Sequence, residues 1–284
     1  MLGTIIALSS TNLFIMWVGM ELNLLSFIPM ILTTNTQQET EASVKYFIAQ
    51  VWGSSLFLLA LSVSTSLPSS TSMIISNIMI MASFMTKAGM APFHFWFPSV
   101  MAALSWIPAL ILTTAQKLIP LTLLFYTLQQ TPHISAPLSL TSAFIGSLGG
   151  LNLSSLRPIL AYSSISHMGW MTAISSLSIP SAILYMILYI ILIIPIFLLM
   201  ASLNTTSMKT ANLLQLLGPM NTIILFIMVL SLAGMPPTSG FVMKLMALKT
   251  MIFASSSIII PTMFLISATI NLLFYLNITF FTLI

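Results

Sequence analysis

The stretch Thr86–Pro98, TKAGMAPFHFWFP, decides the reading of this 284-residue chain. It sets Lys87 inside a long apolar run and follows it closely with Gly89 and Pro92. A lysine in hydrocarbon is costly, so such residues are rare and mark function. Proline removes a backbone donor and breaks a helix, which lipid tolerates only where protein or water satisfies the freed groups. The stretch reads as a broken helix carrying a buried cation, part of an ion path. The same grammar returns at Ser231–Lys244, SLAGMPPTSGFVMK, with Gly234, Pro236, Pro237 and Lys244. Two such segments in one chain point to an internal repeat of a transporter type.

Composition agrees. The chain is 58% hydrophobic and 4% charged, against about 25% charged in soluble domains, so it is an integral membrane protein. A net charge of +4 spread this thinly forms no basic patch and excludes nucleic acid as a partner. The absence of cysteine excludes disulfides, thiolate metal sites and iron–sulfur clusters ligated by this chain. The apolar sequence starts at Met1 with no charged leading region, so no signal peptide is expected. The 22 methionines are compatible with a mitochondrial genome.

Working outward, residues 1–9 are apolar but too few to cross a core about 30 Å thick, and read as the stub of a helix. A full span is expected at about 11–33, with Glu21 near its middle. Residues 34–42, TNTQQETEA, are the most polar stretch and read as a loop. A span follows at about 43–66, then a turn at Leu67–Ser72. The broken span covers about 72–98. An unbroken span at about 106–128 holds Lys117 near its centre, and Gln129–His133 reads as a loop. Five more spans are expected at about 134–151, 155–177, 179–204, 219–248 and 253–282. The first of these holds Gly146, Gly149 and Gly150, a spacing that allows close helix packing. The second holds His167 near mid-depth, and the fourth is the other broken helix.

Five segments thus precede His133 and five follow it. In each set the fourth is broken, and the second carries a buried ionisable group, Glu21 or His167. Five is odd, so the second set starts on the opposite membrane face. The expected fold is an all-α, polytopic transmembrane bundle, antiporter-like, with two inverted five-helix repeats (1–133 and 134–284) in a single domain. Lys45, Arg157 and Lys209 fall on one side and Lys249 on the other, which puts the first side in the matrix or cytoplasm.

Glu21, Lys87, Lys117 and His167 lie near the centres of their spans, and Lys244 lies past the second break. Each is a paired structural group or part of an ion path, and intramembrane charge favours the second reading. Burial favours the neutral forms of lysine and glutamate, and a neighbouring opposite charge favours the charged forms. A Lys–Glu pair that opens and closes therefore loads and releases a proton. Broken helices add helix termini and room for water. His94, beside Phe93, Phe95 and Trp96, reads as an interfacial or packing residue, and His133 as a loop residue. No histidine pair has the spacing of a bis-histidine haem site. No glycine-rich phosphate loop is present. Asn152-Leu153-Ser154, Asn204-Thr205-Thr206 and Asn277-Ile278-Thr279 match the glycosylation pattern, which is too short to carry weight here.

The stretches MWVGMELNLLSFIP, EASVKYFIAQ, TKAGMAPFHFWFP, LAYSSISHMGW and LAGMPPTSGFVMK resemble the NADH–ubiquinone oxidoreductase chain 2 family, over about residues 1–250. These are the mitochondrial antiporter-like subunits of respiratory complex I. The resemblance implies a proton-translocating subunit of the mitochondrial inner membrane, partnered by other membrane-arm subunits and by lipids. It implies Glu21 and Lys87 as a coupled pair, Lys117 as the central relay, Lys244 on the second broken helix, and His167 on a central polar axis. NADH, FMN, iron–sulfur clusters and ubiquinone are then handled by other subunits, with no cofactor or metal bound by this chain. Animal members have a complete first helix and one more helix at the end, and this chain is expected to lack most of the former and all of the latter. The rival readings are a subunit of a related multisubunit cation/proton antiporter without redox activity, and a structural scaffold whose lysines are merely paired.

Overall fold

Apolar runs interrupted by proline and glycine give helices, because in lipid every backbone group must find its partner within the segment. The computed structural model describes residues 2–33, 36–66, 70–203, 219–254 and 258–283, and among these residues its elements are all α-helices joined by short turns. Lys209, the Asn204 triplet and part of the Leu67–Ser72 turn lie outside them.

The first five expected segments are α1 (Leu2–Ser9), α2 (Leu13–Ile31), α3 (Gln37–Ser66), the pair α4 (Ser70–Ala88) and α5 (Trp96–Ala103), and the pair α6 (Trp106–Thr113) and α7 (Ala115–Gln130). The next five are α8 (Pro132–Gly149), α9 (Leu156–Ser175), α10 (Ile179–Leu203), the pair α11 (Pro219–Ala233) and α12 (Ser239–Ala254), and α13 (Ile259–Leu283). Among the described residues five helical stretches are long and apolar enough to cross a membrane: Leu13–Ile31, Gln37–Ser66, Trp106–Gln130, Ile179–Ser202 and Ile259–Thr279.

Three boundaries differ from the sequence reading. The polar stretch 34–42 is mostly the first turns of α3. Thr36 Oγ1 accepts from the Glu39 amide at 3.3 Å, so Thr36-Gln37-Gln38-Glu39 has the spacing of a capping box. The loop expected at Gln129–His133 shrinks to Thr131, because α8 opens on Pro132, and proline suits a first helical position. The span holding Lys117 is interrupted at Thr114, with φ −113° and ψ −80°. Pro120, inside α7, offers no amide to the Gln116 carbonyl and loosens the turn just after the interruption. The Thr114 hydroxyl turns back onto the Leu110 carbonyl at 2.7 Å, and the Lys117 amide bonds to Thr114 O at 3.2 Å.

Both expected breaks form, and they share one cap. At the end of α4, Gly89 has φ +71°; its amide bonds to Thr86 O and the Met90 amide to Met85 O. At the end of α11, Gly234 has φ +85°; its amide bonds to Ser231 O and the Met235 amide to Leu230 O. This is the Schellman arrangement, and glycine is what tolerates the left-handed residue. A Cβ on Gly89 would sit 2.9 Å from Phe97 Cβ, and one on Gly234 would sit 2.9 Å from Lys244 Cδ. Each break glycine therefore also sets the distance to a side chain used below.

α9 is the central pillar, buried along nearly its whole length and packed against α5, α7, α8, α10, α12 and α13. Its hydroxyls are satisfied within the helix: Ser163, Ser164 and Ser166 donate to Leu160, Ala161 and Ser163 carbonyls at 2.8, 2.6 and 2.7 Å. Each oxygen keeps acceptor capacity toward a neighbouring helix. α8 approaches closely because Gly146 has no side chain; a Cβ there would run into the Ser166 backbone. Gly146→Val is expected to separate α8 from α9 and destabilise the fold by about 2 kcal/mol or more, as overpacking does. Thermal unfolding of the assembled protein in mild detergent measures this.

Candidate functional site

The buried polar groups form a line across the bundle. Lys87, in the last turn of α4, donates from Nζ to Glu21 Oε1 of α2 at 3.3 Å. The lysine side chain is 3% exposed and the glutamate 22%, so the pair is buried at the lysine end only. The carbonyls at the buried end of α4 are taken by neutral donors: Gln50 Nε2 reaches Lys87 O at 3.1 Å and Trp96 Nε1 reaches Thr86 O at 3.0 Å.

Gln116 is the next link. Its Oε1 accepts from Asn23 Nδ2 at 3.0 Å and from the Tyr46 hydroxyl at 3.3 Å, and Tyr46 lies within electrostatic reach of Glu21. Lys87, Gln50, Tyr46, Asn23 and Gln116 line one small cavity of about 10 Å³, about the space of a single water.

Lys117 follows Gln116 in the first turn of α7. Its Nζ donates to Ser164 Oγ of α9 at 2.9 Å and lies 3.9 Å from the centroid of the Phe97 ring of α5. Among the described residues no carboxylate is within ion-pair distance of it. A cation here is held by a hydroxyl and an aromatic face. Phe97 reaches Lys117 because the break at Gly89 redirects the chain into α5.

Beyond Lys117 the line continues along α9. His167 Nδ1 meets the Tyr185 hydroxyl of α10 at 2.9 Å, and its ring centroid is 5.1 Å from that of Tyr189. The histidine also bonds the Leu232 backbone in the last turn of α11 and feels the charges of Lys244 and Lys117. Lys244 of α12 reaches back across the break to donate to Ala233 O at 2.6 Å. The C-terminal end of α11 is thus capped by a lysine and a histidine, the residue types its dipole favours.

All five residues singled out in the sequence belong to this line. Its uncharged members, Asn23, Tyr46, Gln50, Gln116, Ser164 and Tyr185, were missed; the available signal was a polar side chain inside an apolar span. His94 packs within the first break, its ring 4.3 Å from Phe95 and 6.3 Å from Tyr162. His133 is exposed on the first turn of α8. Among the described residues no group of acidic, histidine or cysteine side chains could hold a metal.

Broken helices around a file of buried lysines define an antiporter-like membrane protein. The structure is similar to a chain of respiratory complex I from Thermus thermophilus with bound aureothin, with a TM-score of 0.89 and 22% identity over 99% of this chain and 68% of that one. It is also similar to a chain of the Mrp complex from a Dietzia species, with a TM-score of 0.87 and 19% identity over 97% of this chain and 57% of that one. These likenesses show the fold, and they do not separate the two kinds of complex. Sequence does. The chain is 43% identical over 282 residues to NADH-ubiquinone oxidoreductase chain 2 of Lumbricus terrestris, covering 98% of this chain and 82% of that protein. It is 40% identical to the chain 2 of Ovis aries over 292 residues, 99% of this chain and 83% of that protein. Residues 10–271 match the family model described as NADH:quinone oxidoreductase/Mrp antiporter, TM. The chain belongs to that family and, within it, to the NADH-ubiquinone oxidoreductase chain 2 proteins.

Proposed function

We propose that this chain is a proton-translocating membrane subunit of NADH:ubiquinone oxidoreductase in the mitochondrial inner membrane, held among the other membrane-arm subunits. Protons move along the line Glu21–Lys87, Lys117, His167 and Lys244, driven by electron transfer in other subunits. NADH, FMN, iron–sulfur clusters and ubiquinone belong to those other subunits. One observation carries the reading: Lys117 lies buried with hydroxyl and aromatic partners, between an ion pair on one side and a lysine–histidine cap on the other. A group so placed gains or loses a proton at lower cost than one locked to a carboxylate.

In the mechanism, Glu21 holds Lys87 charged while the two are in contact. When they separate, Lys87 releases its proton toward Gln116 and Lys117 through the small polar cavity. Lys117 then passes charge along Ser164 and the α10 tyrosines toward His167. The end of α11 receives the charge, where helix carbonyls favour it at His167 and Lys244. We further propose that residues 1–133 and 134–284 are two five-helix units of opposite orientation. The shared glycine cap at the two breaks supports this, while their donors differ, Gln50 and Trp96 at one and Lys244 and His167 at the other.

The reading against a redox-free cation/proton antiporter is tested with the purified chain and its partners in sodium-free proteoliposomes. NADH-driven proton uptake is expected. Proton movement only against a sodium gradient, with no NADH oxidation in the purified assembly, would overturn it. Within the line, Tyr185→Phe removes the hydroxyl on His167 Nδ1 and keeps the ring. It is expected to leave assembly intact and slow pumping by about tenfold, less than the roughly hundredfold of losing a proton-transfer group itself, because His167 remains. NADH-driven acidification in vesicles measures it.

A further inference from the structure

We propose that the cavity at the second break binds a free fatty acid of the bilayer, with its carboxylate on Lys244. The cavity has a volume of about 150 Å³ and is open on one side. Lys244, 6% exposed, lines it. Of the three N–H donors of an ammonium, one goes to Ala233 O, and among the described residues no carboxylate pairs with it. Trp170, 1% exposed, lines the same cavity, and its buried Nε1 has no acceptor. A lysine and an indole with free donors border one space whose remaining walls, including Leu248, Leu265, Ala268 and Leu272, are apolar except for Thr269, whose hydroxyl donates to the Ile266 carbonyl of its own helix. The complement of that wall is an acid group on an alkyl chain.

Size and depth narrow the class. An apolar cavity of about 150 Å³ takes a molecule of benzene's size. The carboxyl group and the first methylenes therefore fill it, and the rest of the chain leaves past Leu245 and Leu265, which are 46% and 47% exposed. The site lies at the break between α11 and α12, inside the apolar span, where a phosphate headgroup anchored at the surface does not reach. A fatty acid crosses hydrocarbon as the neutral acid. On arrival its O–H proton moves to the neutral amine of Lys244, leaving a carboxylate and an ammonium as an ion pair; where the amine is already protonated, the acid keeps its proton and its carbonyl oxygen accepts from the ammonium. Either way the occupied lysine is held charged, and the α11–α12 end of the polar line is blocked. Binding follows from the cavity and its donors and does not depend on Lys244 carrying protons.

The test uses the purified complex containing this chain and a photoactivatable diazirine palmitic acid, with labelled peptides mapped by mass spectrometry. Label is expected on α12 and α13, displaced by palmitic acid and not by methyl palmitate or phosphatidic acid. Lys244→Met is expected to weaken displacement by about tenfold, the loss of one charged hydrogen-bond partner. Ala268→Phe fills the cavity and is expected to remove the label from an assembled complex. Label elsewhere only, equal displacement by the methyl ester, displacement by phosphatidic acid, or label persisting in assembled A268F would overturn the proposal. The acid-against-ester comparison needs no variant, so it decides even where a substitution prevents assembly.

Discussion

Replacing Glu21 with glutamine is expected to leave a pumping-deficient and less stable complex. Lys87 is 3% exposed on its side chain, and Glu21 is its ion-pair partner. Removing one member of a buried pair leaves an uncompensated charge, at a cost of about 3–5 kcal/mol. Glu21 is 22% exposed, and water relieves part of that cost, so the lower end, about 3 kcal/mol, is expected. Lys87→Met in the same chain removes the stranded charge. The double variant Glu21→Gln/Lys87→Met is therefore expected to recover most of the stability and none of the pumping. A purely structural pair gives the opposite pattern, with pumping returning alongside stability. Thermal unfolding of the complex and NADH-driven acidification of vesicles, measured on the two single variants and the double, separate the two.

The second large effect falls on Lys117. Lys117→Met keeps much of the apolar stem beside Phe97 and removes the titrating group. The complex is expected to assemble, because the lost contacts are one hydroxyl and one ring face. Pumping is expected to fall by about a hundredfold, the scale of losing a positioned proton-transfer group, and electron transfer to slow through the shared cycle. Lys117→Arg retains a cation and is expected to fail as well, since arginine does not deprotonate in proteins. Gly89→Ala reaches the same residue indirectly. Its Cβ would meet Phe97 at 2.9 Å while the backbone holds φ +71°, a conformation costing non-glycine residues about 1–2 kcal/mol. Phe97 is then pushed on Lys117, and pumping is expected to fall with assembly retained.

The helices and both breaks were legible because lipid permits few alternatives: long apolar runs must be helical, and Gly-Met followed by proline must interrupt them. The charged members of the line were legible for the same reason, since Lys87 and Lys117 stand out in 4% charge. Lys244 was harder to place. It lies ten residues past Gly234, and only the folding back of α12 brings its Nζ to Ala233 O. The interruption at Thr114 was hidden because no glycine or proline marks it in the sequence: Pro108 and Pro120 lie inside the two helices on either side. Thr36–Glu39 carried a capping signature that its polarity disguised as a loop. The differing caps of the two breaks were not read, because Gln50 and His167 reach them from distant parts of the chain and Trp96 reaches Thr86 only once the chain folds back after the break.

The most direct test of the central claim, that this chain itself carries protons, is the ratio of protons pumped to electrons transferred in proteoliposomes holding the Lys117→Met complex. At matched rates of NADH oxidation the ratio is expected to fall below that of the unmodified complex, with every subunit present. An unchanged ratio in a fully assembled Lys117→Met complex would contradict the account and leave Lys117 as a packing residue between Phe97 and Ser164.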